Sequence, residues 1–295
     1  MSYISASEKS LQHIIKGHGS KIQGFRRYLG YTFVEMKPDK FELYLSSVQT
    51  PKEDAQFLSR RFRQWTGRPL RILREDFCGT ANLLCEFVKL NTGNKGIGVD
   101  SDPKPLQWCR TNNFKHLRLD QQNRLALENA DVLNVRTSPA DMIVALNYSY
   151  SVFHTRPVLL KYLKAARKSL LPEGIFLLDV HGGSAVPIED QELWNLDHFQ
   201  YVWEVTKFDP ISHRILCKIH FGFPDGTKLR NAFVYDWRLW TLPELRELIE
   251  AAGFRNIHVL WEGTDPQTEM GNGVLRRVQK GHAEGAWYAI VVGQK

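Results

Sequence analysis

The spacing of apolar residues changes period several times along this chain, and each change predicts a new element. From Leu70 an apolar start (Leu70, Ile72, Leu73) runs into the acidic pair Glu75-Asp76 and then into a turn of small residues, Cys78-Gly79-Thr80. Leu83, Leu84, Phe87 and Val88 follow on one helical face of the segment Asn82 to Leu90. The order is strand, tight turn, helix. Gly96 to Asp100 reads as the next strand, and Ser101-Asp102-Pro103 opens a helix, with Asp102 as cap and proline at the first position. Arg124 to Glu128 is a weak strand. Asp141 to Leu146 is almost continuously apolar, the pattern of a strand buried on both faces. Leu159, Tyr162, Leu163, Ala166 and Leu170 then mark a helix over Thr155 to Leu171. Leu171-Pro-Glu-Gly174 ends it, and a fifth strand, Ile175 to Val180, leads into Asp179-Val-His181.

Two other regions frame this alternation. Ahead of Leu70, Thr50-Pro-Lys-Glu53 has the form of a capping box, Ala55, Leu58, Phe62 and Trp65 recur at helical spacing, and Gly67 can stop the helix. Between Ser184 and Trp240 the alternation breaks. Period-two runs such as Arg214 to Phe221, the turn Pro224-Asp-Gly-Thr227 and the aromatics Trp194, Trp203, Tyr235, Trp237 and Trp240 predict inserted antiparallel strands. A second capping box, Thr241-Leu-Pro-Glu244, restarts the helical pattern through Leu245, Leu248, Ile249 and Ala252 to Gly253. Phe254 to Trp261 and Ala286 to Val292 are the last two predicted strands, joined by a long polar loop from Glu262 to Gly285. The expected organisation is a cap segment over 1–68, a core over 69–183 and 241–295, and a β-rich insertion over 184–240.

The turn after the first strand carries the chemistry. It leaves backbone N–H groups free at a helix start, and Gly79 lets a ligand approach the main chain. Glu75 adds a fixed negative charge at the strand's end, which suits a ligand that bears both a carboxylate and an amine. A pyrophosphate would be repelled. Asp100 follows Gly79 by 21 residues, close to the roughly 20-residue offset at which an acid reaches ribose hydroxyls in nucleotide-binding βαβ units. Together the two acids describe an amino-acid-bearing nucleoside. The polar-aromatic cluster Asn147-Tyr-Ser-Tyr150-Ser-Val-Phe-His154 lies where the buried strand ends, on the edge at which open parallel sheets bind ligands.

On these residues the chain resembles the class I S-adenosylmethionine-dependent methyltransferases, whose first motif is an acid followed by alternating glycines. Glu75-Asp-Phe77-Cys78-Gly79-Thr-Ala81 matches the acid and the middle glycine, and Phe77 and Ala81 stand in place of the other two. The resemblance spans Leu70 to Lys295. It implies an α/β fold, a Rossmann-like doubly wound seven-stranded sheet, mostly parallel with an antiparallel last strand slotted between its predecessors. It also implies an N-terminal helical cap and an inserted antiparallel β lid above the acceptor pocket. By the same resemblance the cofactor is S-adenosyl-L-methionine, held by Glu75, Phe77, Cys78, Gly79, Asp100, Ser101 and Asn147. Asp131 and Val132 lie where the family contacts adenine, with a plain cap as the other reading of Asp131. Tyr44 is the candidate to close over the methionine end, with a core tyrosine as the other. Asn147-Tyr-Ser-Tyr150 is similar to the amine-methylating motif of nucleic-acid adenine methyltransferases, without its two prolines. For transfer to a small-molecule acceptor, His154 and His181 are the candidate bases and Tyr150 the residue that orients the acceptor. No metal is required.

Composition narrows the class further. With 43% apolar and 12% aromatic residues over 295 positions, the chain can bury one large core or two modest ones. No apolar run reaches the roughly 18 residues of a membrane span, and the first residues lack a signal-peptide pattern, so a soluble cytoplasmic protein is expected. Cys78, Cys85, Cys109 and Cys217 show no metal-ligand spacing. The net charge of +7 is spread as a mild N-terminal excess, with no Arg-aromatic motif, and reads as solvated surface rather than a nucleic-acid interface. An RNA or protein methyltransferase and a catalytically silent nucleoside-binding protein stay open as alternatives. A nicotinamide enzyme is disfavoured because no Gly-x-Gly-x-x-Gly follows the first strand. The sequence is silent on oligomeric state.

Overall fold

A computed structural model describes residues 39–267 and 271–295. The part of the expected cap over 1–38 lies outside the described residues. The elements are α1 (Lys40–Val48), α2 (Pro51–Thr66), β1 (Ile72–Asp76), α3 (Asn82–Leu90), β2 (Lys95–Asp100), α4 (Pro103–Thr111), α5 (Leu119–Gln122), β3 (Leu125–Asn129), β4 (Ala140–Ala145), α6 (Arg156–Lys168), β5 (Leu170–Gly182), β6 (Gln191–Asn195), β7 (Gln200–Asp209), β8 (Arg214–Gly222), β9 (Lys228–Arg238), α7 (Leu242–Ala251), β10 (Arg255–Thr264), β11 (Gly271–Val278) and β12 (Trp287–Gln294). No helix among the described residues is long and apolar enough to cross a membrane.

Eight strands form one sheet in the order β11-β10-β12-β5-β4-β1-β2-β3. The pairs from β5 through β4, β1 and β2 to β3 are parallel. Strand β12 runs antiparallel between β5 and β10, as expected of the last strand. The strand count is eight rather than seven because β11, Gly271–Val278, lies inside the stretch read as a polar loop. It pairs antiparallel with β10 across a register shift between Glu262 and Thr264. Its sequence, Gly-Asn-Gly-Val-Leu-Arg-Arg-Val, is too polar for the apolar alternation that marks a half-buried strand, and only Leu275 is fully buried.

Helices cover both faces because the apolar stripes point both ways. Leu58, Phe62, Leu84 and Phe87 of α2 and α3 pack with Leu73, Met142, Val144 and Leu177 on one face. Leu159, Tyr162, Leu163, Leu245, Leu248 and Ile249 of α6 and α7 pack with Ile143, Ala145, Phe176 and Leu178 on the other. Helix ends follow the sequence in most places. Asp102 caps α4 through the Lys104 N–H, Thr241 and Glu244 form a reciprocal capping box, and Gly67, at φ 73°, stops α2. Thr50 is the exception: its side chain makes no cap bond and its Oγ1 is buried without a partner among the described residues, so Pro51 alone starts α2. Strands β6 to β9 form a separate four-stranded antiparallel sheet.

Strand β1 also carries a buried ion pair that its acidic and basic residues conceal in the sequence. Arg74 and Asp76 are each 1% exposed and share the α6 face, two residues apart. Arg74 Nε donates to Asp76 Oδ1 at 2.7 Å, and the Tyr162 hydroxyl donates to Asp76 Oδ2 at 2.9 Å. Removing one partner of a buried pair strands the other charge, at a cost of about 3–5 kcal/mol. Asp76→Ala should therefore lose about that much unfolding free energy in denaturant titration. A double Arg74→Met, Asp76→Leu variant should recover most of the loss.

Candidate functional site

The loop after β1 keeps the backbone path of a glycine-rich turn with one glycine. Phe77, Gly79 and Ala81 have φ of 59°, 53° and 50°, so every second residue is left-handed. Away from glycine each such step costs on the order of 1–3 kcal/mol and survives only where the surroundings enforce it. Here they do. The Cys78 N–H donates to the Val99 carbonyl at 3.0 Å, the Gly79 N–H to Asp100 Oδ2 at 2.8 Å, and the Ala81 N–H to the Cys78 carbonyl at 2.8 Å. The Phe77 ring turns away from the ligand edge and packs on Phe153 and Tyr162, at 5.8 and 5.7 Å between centroids. Cys78 is buried, and a Cβ on Gly98 would come within 2.8 Å of its Sγ, which is why β2 carries a glycine there. The space that a Cβ on Gly79 would take is open to 4 Å.

Glu75 and Asp100 end adjacent parallel strands on the same sheet edge. Asp100 accepts from the Gly79 N–H with one oxygen and, at 2.9 Å, from the Asp102 N–H with the other, so it ties the loop to the start of α4. Glu75 is 6% exposed, and its Oε2 is buried without a hydrogen-bond partner among the described residues. It faces a cavity of about 70 Å³ between the sheet and α2, together with Asp54, Asn147, Asp179 and Gly273. Burial raises all three of these carboxyls: Asp54 to about 7, with Glu53 and Asp179 adding to it, Asp179 to about 7, and Glu75 well above its usual value, with Asp54 and Asp100 adding. Among the described residues, none of the side chains lining this cavity is basic.

A second cavity, about 250 Å³, opens beneath the four-stranded sheet and shares Val48, Asn147, Asp179 and Tyr288 with the first. Asp179 stands at the junction. It receives the N–H groups of Asn147 (2.8 Å) and Tyr148 (3.0 Å), two consecutive left-handed residues at φ 56° and 57°. Those two steps rotate the chain leaving β4, so that Tyr148 faces the cavity and Tyr150, only 2% exposed, packs into the core. Tyr150, the candidate for orienting an acceptor, thus lines neither cavity, whereas Tyr148 lines the second. His181 lines the cavity with its ring 4.0 Å from that of Tyr148, and burial pushes its pKa down to about 4. His154 lies outside the cavity lining. Its Nε2 meets the Asp236 carbonyl at 2.8 Å, which latches the segment after β4 to β9.

Tyr44 lines the second cavity and packs its ring on Phe233 of β9, 5.0 Å between centroids, joining α1 to the roof. Trp203, Tyr235 and Trp237 face the same space, whereas Trp240 is buried with its Nε1 donating to the Phe153 carbonyl. Ser101, Asp131 and Val132 line neither cavity. Ser101 is exposed, Val132 is buried core, and Asp131 caps a turn through the Leu133 N–H at 2.9 Å. The residues that sequence reasoning passed over are Asp54, Asp179 and Tyr148. Asp179 had a signal in being an acid at a buried strand's end; Asp54 had none, because an acid in a first helical turn is ordinary.

No family model matches the chain, and no curated protein matches it in sequence. Solved structures do match it in fold. An S-adenosylmethionine-dependent methyltransferase from Clostridium acetobutylicum ATCC 824 superposes with TM-score 0.62 at 18% identity, covering 85% of this chain and 94% of its own. CalS10, an amino pentose methyltransferase from Micromonospora echinaspora, gives 0.61 at 14% identity, covering 89% and 99%. The sugar N-methyltransferase KedS8 from Streptoalloteichus sp. ATCC 53650 gives 0.58 at 16% identity, covering 94% and 99%. The chain has the fold of S-adenosylmethionine-dependent methyltransferases.

The acid cluster makes stability depend on pH in a defined direction. Asp54 titrates near 7 in the fold against about 3.9 unfolded, so its contribution is complete below pH 4 and is lost as pH rises through 7. His181, held near 4, acts oppositely, and its contribution is lost as pH falls from about 6.5. Asp54→Asn removes the first effect, together with Asp54's part in raising Glu75, and leaves that of His181. Its stability gain over wild type should be larger at pH 8 than at pH 5 by about 2–3 kcal/mol, measured by chemical denaturation without added ligand.

Proposed function

We propose that this protein is an S-adenosylmethionine-dependent methyltransferase that acts on a small-molecule acceptor by in-line transfer. The observation that carries the reading is the meeting of two cavities at Asp179 and Asn147. One is lined by the partnerless carboxylate of Glu75, and the other is walled by aromatic rings. When bound, the donor supplies a methyl group already activated on a sulfonium. The chain's residues then have to bind, orient and exclude water, and positioning of that kind can supply roughly 7–11 kcal/mol of the barrier.

The residues fit that donor. Glu75 offers a buried charge to an ammonium, and the open space at Gly79 admits a ligand against the main chain. Asp100 keeps free lone pairs on both oxygens beyond its two backbone bonds, which suits a ribose diol. Tyr44 stands over the junction from the cap side. On the acceptor side Asp179 and His181 are the groups able to take a proton, and Asp179, titrating near 7, is the stronger base of the two. Tyr148 is the hydroxyl available for orientation.

Two features favour a metabolite-sized acceptor over RNA or a protein side chain. The second cavity is roofed by β7 to β9, and none of the side chains that line it among the described residues is a lysine or arginine that would meet phosphates. CalS10 and KedS8 are named for action on sugars, which fits an acceptor of that size.

Calorimetric titration with S-adenosylhomocysteine tests the donor half. Wild type should bind, and Glu75→Gln and Asp100→Asn should each weaken binding by about 10- to 100-fold, the loss of one charge-assisted hydrogen bond of roughly 1.5–3 kcal/mol. Unchanged affinity in both variants would remove the proposed donor site. Transfer of a labelled methyl group to any component of a metabolite mixture separates the enzyme from a silent nucleoside-binding protein.

A further inference from the structure

The wall of the second cavity is a flat aromatic surface with acids at its ends. On β9 the rings of Phe233, Tyr235 and Trp237 stack along one face, at centroid spacings of 6.4 and 4.5 Å and interplanar angles of 4° and 25°. Trp203 of β7 extends the surface 6.0 Å from Trp237, and Tyr148 closes it edge-on at 6.2 Å and 84°. Period two makes this possible, because alternate residues of adjacent strands share a face. Asp179 lies at the inner end of the cavity, where it meets the donor side, and Asp190 and Glu192 line it elsewhere.

Charge is one-sided here. Three carboxylates and no basic side chain line the cavity among the described residues. Its histidine is held neutral at physiological pH. A phosphate or carboxylate placed there would be desolvated beside like charges. A neutral alcohol would leave the Asp179 carboxyl without the counter-charge that its burial calls for. A cation is favoured twice, by the acids and by the ring faces, which attract cations when desolvated.

We propose, resting on the methyltransferase reading, that the acceptor is a primary or secondary amine on a flat apolar body, with the body on the Trp203–Tyr235–Trp237 wall and the nitrogen at Asp179. The amine enters as the ammonium ion. Its proton passes to the Asp179 carboxylate, which frees the lone pair. That lone pair forms the new N–C bond as the donor's S–C bond breaks, leaving a neutral thioether and a methylated ammonium. The Asp179 proton is released to water when the product leaves. A carboxyl titrating near 7 is matched to both halves of this cycle. Asp179 also holds the N–H groups of Asn147 and Tyr148 and looks structural on those bonds alone.

The test uses the full chain saturated with S-adenosylhomocysteine and four probes with one phenyl body, 2-phenylethylamine, 2-phenylethanol, 3-phenylpropionate and 2-phenylethyl phosphate, together with tryptamine, the same ethylamine on a larger flat body. Calorimetry should show the amines binding at least tenfold tighter than the alcohol, with no measurable binding of the carboxylate or phosphate. Trp203→Leu should weaken amine binding at least fivefold. An alcohol that binds as well as its amine, a phosphate that binds best, or amine affinity unmoved by Trp203→Leu would overturn the proposal. Failure of S-adenosylhomocysteine itself to bind would instead sink the reading on which it rests. A solvent isotope effect and methyl transfer to the amine probe, both lost in Asp179→Asn while S-adenosylhomocysteine binding is kept, would support the proton step. Transfer that persists undiminished in that variant would remove Asp179 as the base.

Discussion

Buried carboxyl groups without a positive partner are the constraint around which the ligand edge of this protein is arranged. Glu75, Asp54 and Asp179 face one small cavity, burial raises all three carboxyls, and no basic side chain lines that cavity among the described residues. Elsewhere the chain does pair its buried charges, as Arg74 and Asp76 show one residue either side of Glu75. The contrast lies within a single strand. Arg74 and Asp76 point to the α6 face and satisfy each other, while Glu75 points to the α2 face and is left with a bare oxygen. Leaving a carboxylate unpaired at such a depth costs folding free energy, and a cationic ligand returns it as binding. This is the physical basis for reading the site as one for an ammonium-bearing donor.

The same edge holds strained backbone, and the strain follows the charges. Phe77 and Ala81 adopt conformations suited to glycine because the loop is pinned by Asp100 and the Val99 carbonyl and anchored by the Phe77 ring in the opposite core. Asn147 and Tyr148 do so because Asp179 collects both of their N–H groups. In each case a carboxylate at a strand end fixes a turn that delivers the next side chains to the ligand edge. Acids here shape the loops as well as the potential. A substitution at Asp100 or Asp179 is therefore expected to move backbone and charge together, which is why the tests above pair such variants with ligand-binding readouts.

Much of the fold was legible because it depends on local signals. The strand-turn-helix at Leu70 to Leu90, the cap at Asp102, the Thr241–Glu244 box and the antiparallel placement of β12 all follow from residue types at fixed spacing or from the resemblance those residues carry. What stayed hidden depends on tertiary context. Strand β11 is polar and exists because β10 offers an edge to pair with, so no periodicity announces it. Phe77 stands where the motif has a glycine, yet its ring packs on Phe153 and Tyr162 and its backbone still turns left-handed. Which tyrosine of Asn147-Tyr-Ser-Tyr150 meets the cavity depends on one pair of dihedral angles. Two left-handed residues in succession reverse which tyrosine faces the cavity, and that reversal is set by a carboxylate 31 residues away.

On the proposed reading, the roof decides how specific the protein can be. A donor site built from strand ends and a glycine turn is compatible with any acceptor, so discrimination has to come from the inserted sheet, whose inner face is aromatic where its outer positions alternate to polar. Tyr44 of α1 packs on Phe233 of this roof, 5.0 Å between ring centroids, so α1 and the roof wall the second cavity together. On the proposed reading, donor and acceptor binding would reinforce one another through that pair without a change of fold, since the second ligand meets a wall already set by the first.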